Sequence, residues 1–109
     1  MKGYNYLLSN SYDIIFILKP DLDENNILAL VEKYHRFLHV NGAININAYD
    51  RGRRHLSYPI KKYHDGIYIQ ITYQADNQIL TNLEKAFRID DNVIRYLTVK
   101  ILLPPILAT

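Results

Sequence analysis

The chain has 109 residues, with 13 Lys+Arg against 11 Asp+Glu, 49% apolar residues and no Cys. That length fits one domain, here residues 1–109, and the apolar fraction suffices for a core, which excludes wholesale disorder. The absence of Cys excludes disulfide staples, thiol catalysis, iron–sulfur clusters and Cys-based zinc sites, while the apolar run Ile14 to Leu18 is far shorter than the roughly 20 residues that span a bilayer, so no membrane partner is expected.

Residues 12–18, Tyr12-Asp13-Ile14-Ile15-Phe16-Ile17-Leu18, are β-branched and aromatic, and apolar at every position after Asp13. Such a run reads as a central strand covered on at least part of both faces. Lys19-Pro20-Asp21 stops it. Asp23 is placed to cap a helix, with Glu24 at the favourable end of the dipole. Ile27, Val31, Tyr34 and Leu38 recur at helical spacing, Leu30 and Phe37 widen the stripe, and Asn41-Gly42 ends it. The first helix is expected over residues 23–41.

Residues 43–62 alternate with period two. Ile44, Ile46, Ala48, Leu56, Tyr58 and Ile60 share one parity; Asn45, Asn47, Arg51, Arg53, His55, Ser57 and Lys61 share the other. This predicts a long half-buried strand. Gly52 suggests a bulge, and Pro59, which cannot donate to a ladder, argues for an edge position. His64-Asp65-Gly66 reads as the hairpin turn. A third strand follows, with Ile67, Ile69, Ile71 and Tyr73 alternating against Tyr68, Gln70, Thr72 and Gln74. Asp76 can cap a second helix with Ile79, Leu80, Leu83 and Phe87 inward and Glu84–Arg88 as an i,i+4 pair. Asp90-Asp91-Asn92 breaks it. Val93 to Ile101 forms the last strand, and Pro104-Pro105 precedes a short apolar tail within residues 102–109.

The order strand, helix, strand, strand, helix, strand fits an α+β, ferredoxin-like βαββαβ sandwich: a four-stranded antiparallel sheet with two helices on one face. Right-handed crossovers put the first and third strands in the centre and the second and fourth at the edges. The fold alone names no function.

Charge is focused. Residues 51–64 carry Arg51, Arg53, Arg54, Lys61 and Lys62, plus His55 and His64, with no acid; elsewhere the balance is 8 basic against 11 acidic. A cationic strand on a mildly acidic body suits a polyanion. Arginine grips phosphate bidentately, and Tyr49, Tyr63 and Tyr68 offer stacking surfaces. The plainer reading is an edge strand protected by charge against aggregation. Parity directs Arg51, Arg53 and His55 one way and Leu56, Tyr58 and Ile60 the other. Arg88, Arg95 and Lys100 form a second basic set, with Arg95 and Lys100 on opposite faces; solvated surface is the competing explanation.

Signals for catalysis are weak. His35 and His39 stand i,i+4 after Glu32, but no glutamate lies between the histidines and no third strong ligand is near, so a solvated helix face is expected rather than a metal. Asp21, Asp23 and Glu24 lack the glycine and distal glutamate of a calcium loop. The four glycines build no phosphate-cradling loop, and Ser9, Ser11 and Ser57 no nucleophile elbow. No catalytic residue, cofactor, metal or small-molecule substrate is expected. Gly66-Ile67-Tyr68-Ile69-Gln70-Ile71 lacks the pattern of an RNA-recognition motif.

At Gly52-Arg53-Arg54-His55-Leu56-Ser57-Tyr58-Pro59-Ile60-Lys61 the sequence resembles the bacterial-type small-ribosomal-subunit protein six family, matching its signature at every position. Three further segments agree: Tyr12 to Pro20, His64 to Tyr68 and Phe87 to Lys100. The resemblance covers residues 12–101. It implies the same sandwich, no enzymatic activity, and binding to small-subunit ribosomal RNA together with small-subunit protein eighteen. On that basis Arg51, Arg53, Arg54, His55, Lys61, Lys62, Arg88 and Arg95 are the RNA-binding candidates. Tyr49, Leu56, Tyr58 and Ile60 are the candidates for the protein partner, and the tail Ile106-Leu107-Ala108 for a ribosomal neighbour. Ile, Asn and Tyr, numbering 15, 10 and 10, have AT-rich codons. With the Tyr63 to Tyr68 segment resembling the plastid and cyanobacterial branch and no Arg/Ser-rich stretch ahead of Tyr12, this points to the chloroplast (plastid stroma) ribosome, with bacterial cytoplasm as the alternative. The functional alternative is a free regulatory or metabolite-sensing ferredoxin-like domain that oligomerises through its sheet.

Overall fold

The computed structural model describes residues 10–101; the apolar tail lies outside the described residues. The elements are β1 (Asn10–Leu18), α1 (Glu24–Val40), β2 (Ile44–Ile60), β3 (Tyr63–Ala75), α2 (Asn77–Ile89) and β4 (Val93–Ile101). The strands pair antiparallel in the order β2-β3-β1-β4, so β1 and β3 are central and β2, with Pro59, is an edge.

Both helices begin where an aspartate can satisfy free backbone donors. Asp23 accepts from Asn26 N at 2.8 Å and Asp76 from Ile79 N at 3.1 Å; each such cap is worth about 1 kcal/mol. Gly42, at φ +92°, ends α1, and Ala43 N donates back to Leu38 O at 2.9 Å. The helices cover one sheet face. Tyr12, Ile14, Phe16 and Leu18 of β1 and Ile67, Ile69, Ile71 and Tyr73 of β3 meet Tyr34 and Leu38 of α1 and Leu83 and Phe87 of α2. Phe16, Tyr34 and Phe87 form an aromatic centre with ring centroids 4.8–5.4 Å apart. Such tilted contacts add about 0.5–1.5 kcal/mol each beyond area burial.

Asp90 is more than a helix stop. Its carboxylate accepts from the Tyr34 hydroxyl, from Asn92 N at 2.9 Å and from Lys33 Nζ at 3.4 Å, tying α1 to the turn before β4. Burial alone pushes this carboxyl up; the hydrogen bonds from Tyr34 and Asn92 and the Lys33 charge outweigh it and hold the group below the usual carboxylate range. Burial and the neighbouring Asp90 together push the Tyr34 phenol far above its ordinary value.

Three sequence expectations need correction. The hairpin does not turn at His64-Asp65-Gly66, which lie inside β3; it turns at Lys61-Lys62, whose φ values are +48° and +74°. Positive φ at both central residues is the geometry whose twist matches that of the flanking strands. Glu84 and Arg88 do not pair. Glu84 accepts from Thr98 Oγ1 at 2.9 Å and Arg88 donates to the Tyr96 hydroxyl at 2.9 Å, because β4 presents fixed polar groups to α2 that a mobile surface pair does not match. The single-parity reading of β2 fails because its pairing with β3 shifts three times, between Ile44 and Asn47, between Asp50 and Gly52, and between His55 and Ile60. Asp50 pairs with Ile69 but Gly52 with Tyr68, so Arg51 is an extra residue and the alternation slips by one. Gly52 sits at φ +87° there, with its N–H held by Asp50 Oδ1 at 2.8 Å.

Candidate nucleic-acid and partner interface

The slip at Gly52 divides β2 into two regimes. Before it, Ile46 and Ala48 pack toward the helices. After it, Leu56 packs on the opposite, helix-free face with Ile17 and Ile94, joined by Ile60, Tyr63 and Tyr68. The partner of Leu18 in β3 is Ile67, so the hairpin beyond Gly66 outruns β1 and forms an arm. That arm curls across the open face. Tyr58 reaches Arg95 of β4, whose Nη1 donates to the phenol at 2.8 Å. Gly66 permits the closeness: a Cβ there would collide with the Ile17 side chain.

The predicted cations therefore do not line one face. Arg53 and His55 pair with Ile67 and Asp65 of β3 and share the side of Ile67, as parity had it. Arg51 does not join them; it lies on the open face with Arg54. Its Nε donates to Gln70 Oε1 at 2.8 Å, Gln70 donates in turn to Asp13 Oδ1 at 2.9 Å, and the guanidinium lies 4.7 Å from the Tyr49 ring centroid. Arg54 lies 5.2 Å from the Tyr68 ring centroid. Arg53 Nη1 donates to Pro20 O at 2.9 Å. His55 faces Asp65 at 3.1 Å, so part of any charge it carries is already matched. Lys61 and Lys62 occupy the tip of the arm. Among the described residues no guanidinium or ammonium of this window is paired with a carboxylate. Stacking and neutral acceptors set the direction of the arginines and leave their charge uncompensated.

Of the partner candidates, Tyr49 and Tyr58 are exposed on the open face, Ile60 is half-buried, and Leu56, only 5% exposed, is taken up by the chain's own packing. The arm and β4 border an open groove of about 370 Å³ lined by Ile15, Ile17, Tyr58, Tyr68, Arg95 and Leu97, among others. Sequence reasoning missed the rest of this surface. Leu97, Val99 and Ile101 of β4 pair with Ile15, Asp13 and Ser11 and stand on the open face, with Leu97 63% exposed. Their odd-numbered alternation against Tyr96, Thr98 and Lys100 was the available signal: an edge strand whose apolar parity points away from the helices. Lys100 pairs with Tyr12 and Arg95 with Ile17, so they do occupy opposite faces. His35 and His39 are exposed on α1.

The result is a ferredoxin-like α+β domain whose polar equipment is cationic and aromatic, carried on a projecting arm beside an apolar half-sheet. The chain belongs to the ribosomal protein S6 family, in its plastid and cyanobacterial branch: the model of that family, described as "Ribosomal protein S6", matches residues 11–100. It is 50% identical over 91 residues to the small ribosomal subunit protein bS6c of Pyropia yezoensis, covering 84% of each chain. It is 42% identical over 99 residues to bS6 of a Picosynechococcus strain, covering 91% of this chain and 86% of that one. The crystal structure of 30S ribosomal protein S6 from Thermotoga maritima superposes with a TM-score of 0.78 at 29% identity, over 85% of this chain and 88% of that one. CPII from Thiomonas intermedia shares the fold alone, with a TM-score of 0.55 at 15% identity over 90% and 92% of the two chains. The family is one of small-subunit ribosomal proteins, not a class of enzymes.

Proposed function

We propose that this chain binds small-subunit ribosomal RNA jointly with small-subunit protein eighteen, and does so on plastid ribosomes. The observation that carries the reading is the set of uncompensated cations along β2 and its turn, Arg51, Arg53 and Arg54 at the root of the arm and Lys61 and Lys62 at its tip, next to an apolar half-sheet that nothing within the described chain covers. The cations suit phosphates, whose neutralisation releases counterions and makes affinity fall with salt. They stand on more than one face of a curved arm, which suits the shape of a folded RNA better than the reading of single bases. Tyr49, Tyr58 and Leu97 with the adjoining groove suit a protein neighbour. The plastid assignment is supported by the bS6c relatives and by the codon bias that Ile, Asn and Tyr imply.

The test is binding of a small-subunit ribosomal RNA fragment in the presence of small-subunit protein eighteen. Arg53→Ala with Arg54→Ala is expected to weaken binding at least about tenfold, the scale of a lost charge-assisted contact, with the thermal midpoint nearly unchanged because both side chains are exposed. A large loss of stability with intact RNA affinity would favour edge protection instead. Sedimentation of a native lysate separates the reading from a free regulatory domain: co-migration with small subunits is expected, and a light, ribosome-free peak would refute it.

A further inference from the structure

The two edges of the sheet are finished differently. β2 carries Pro59, a bulge at Arg51 and a row of cations, each of which discourages a neighbouring strand. β4 has no Pro, no Gly and no acid. From Arg95 to Ile101 it keeps unbroken register with β1, and among the described residues no strand pairs with its other side. A regular, exposed edge of this kind holds a row of backbone donors and acceptors open to a further strand.

The strand that fits this edge is β4 itself. Two copies set antiparallel with Thr98 opposite its own counterpart bring Leu97 opposite Val99, Tyr96 opposite Lys100 and Arg95 opposite Ile101, so that the whole regular stretch is paired. Directly opposed side chains of this kind are the unit of sheet stability. On the open face Leu97 and Val99, 63% and 51% exposed, cover each other on both sides of the axis. On the helix face the stem of Lys100 lies along the Tyr96 ring of the other copy. No cation stands opposite a cation. Glu84 of α2 accepts from Thr98 Oγ1 at 2.9 Å, so each copy also brings one carboxylate toward the axis, flanked by the two Lys100 side chains. We propose that β4 pairs with β4 of a second copy in this register, joining the two sheets into one with the helices of both copies on the same side. The contact is isologous and uses up the free edge of each copy, so it closes at a dimer. One strand pair is small beside the roughly 1,200–2,000 Å² of stable interfaces, so the dimer is weak, with a dissociation constant on the order of 10–100 µM. The pairing rests on the sheet edge and not on the ribosomal reading, and either can fail without the other.

The experiment is sedimentation velocity of the full chain from about 5 to about 500 µM, a range that brackets such a constant. Monomer is expected at the low end and dimer at the high end. Leu97→Lys with Val99→Lys, both exposed positions, sets lysine opposite lysine on both sides of the axis. It should weaken association at least about tenfold, with circular dichroism showing the variant folded. Because the chain has no cysteine, single introduced cysteines report the register. Thr98→Cys should oxidise to a cross-linked dimer, since directly opposed Cα atoms lie about 4.5–5.5 Å apart, within disulfide reach. Lys100→Cys should not, since its counterpart stands four residues along the ladder, roughly 14 Å away. A chain that stays monomeric throughout, a dimer undiminished in the Leu97/Val99 variant, species larger than a dimer, or cross-linking at Lys100→Cys that matches Thr98→Cys overturns the proposal. Co-migration with small subunits by a chain that never dimerises removes the pairing and leaves the ribosomal reading standing.

Discussion

Replacing Gly66 by Ala tests whether the arm is packed as tightly as it appears. The new Cβ would point at Ile17 Cγ2, well inside the roughly 3.5–4.0 Å at which two carbons rest. Leu18 O and Leu56 Cδ2 would lie 3.6 and 3.7 Å from it, in ordinary contact, so the collision is with Ile17. Ile17 is 8% exposed and wedged between Leu56 and Ile94, which leaves it little room to give. Overpacking of this kind costs about 1–3 kcal/mol. The loss of chain freedom in the unfolded state favours Ala by about 0.4–1 kcal/mol. The net expectation is about 1–2 kcal/mol of destabilisation, and a thermal midpoint roughly 5–15 °C lower for a domain of this size. Denaturant unfolding followed by circular dichroism measures it. In an Ile17→Ala background, where the offending methyl is gone, the same Gly66→Ala change should cost little or stabilise. An equal cost in both backgrounds, or a neutral Gly66→Ala in the unaltered chain, would refute the packing assigned to the arm.

Two further predictions concern the ties between elements. The carboxyl of Asp90 is held below its ordinary value, so its bonds stabilise the fold above the unfolded carboxyl range near pH 4, and that stability is lost as pH falls through the lower folded value. Asp90→Asn should therefore cost about 1–3 kcal/mol at pH 7, with the gap to the unaltered chain closing in acid; a gap independent of pH would contradict this. At the hairpin tip, Lys61→Asn with Lys62→Gly supplies residues suited to φ +48° and +74°. It should raise stability by about 1 kcal/mol in thermal unfolding, because lysine pays for positive φ where asparagine and glycine do not; unchanged stability would show that the turn costs these lysines nothing.

Most of the architecture was legible because burial imposes period. The double-faced apolar run of β1, the capped helices and Pro59 each allowed few placements, and together they specified the order of strands. What escaped were features set by contacts between distant residues. Gly66 follows an aspartate, which looks like a turn, yet its reason is the methyl of Ile17 from another strand. Lys61 and Lys62 turn although neither residue type favours positive φ, because the arms on either side fix the crossing. The single parity of β2 failed because its pairing shifts along the strand: the slip between Ile44 and Asn47 separates Ile44 from Ala48, and the inserted residue at Arg51 reverses the faces that follow it. Arg51, Arg53 and His55 thus fell to different faces. The apolar side of β4 was written in its alternation but carried no mark of which face the helices would cover.

The open face is only half roofed. Among the described residues, the arm folds over Ile17 and Ile94, and Leu97, Val99 and Ile101 of β4 stay exposed. An uncapped strand rim carrying greasy side chains is a template for unwanted pairing with any extended polypeptide. A molecule made this way is a part rather than a whole, best kept scarce in the unassembled pool and best consumed as soon as it is made. Its solubility is then a property of the particle it joins, and overproducing it alone is expected to favour self-association along that rim.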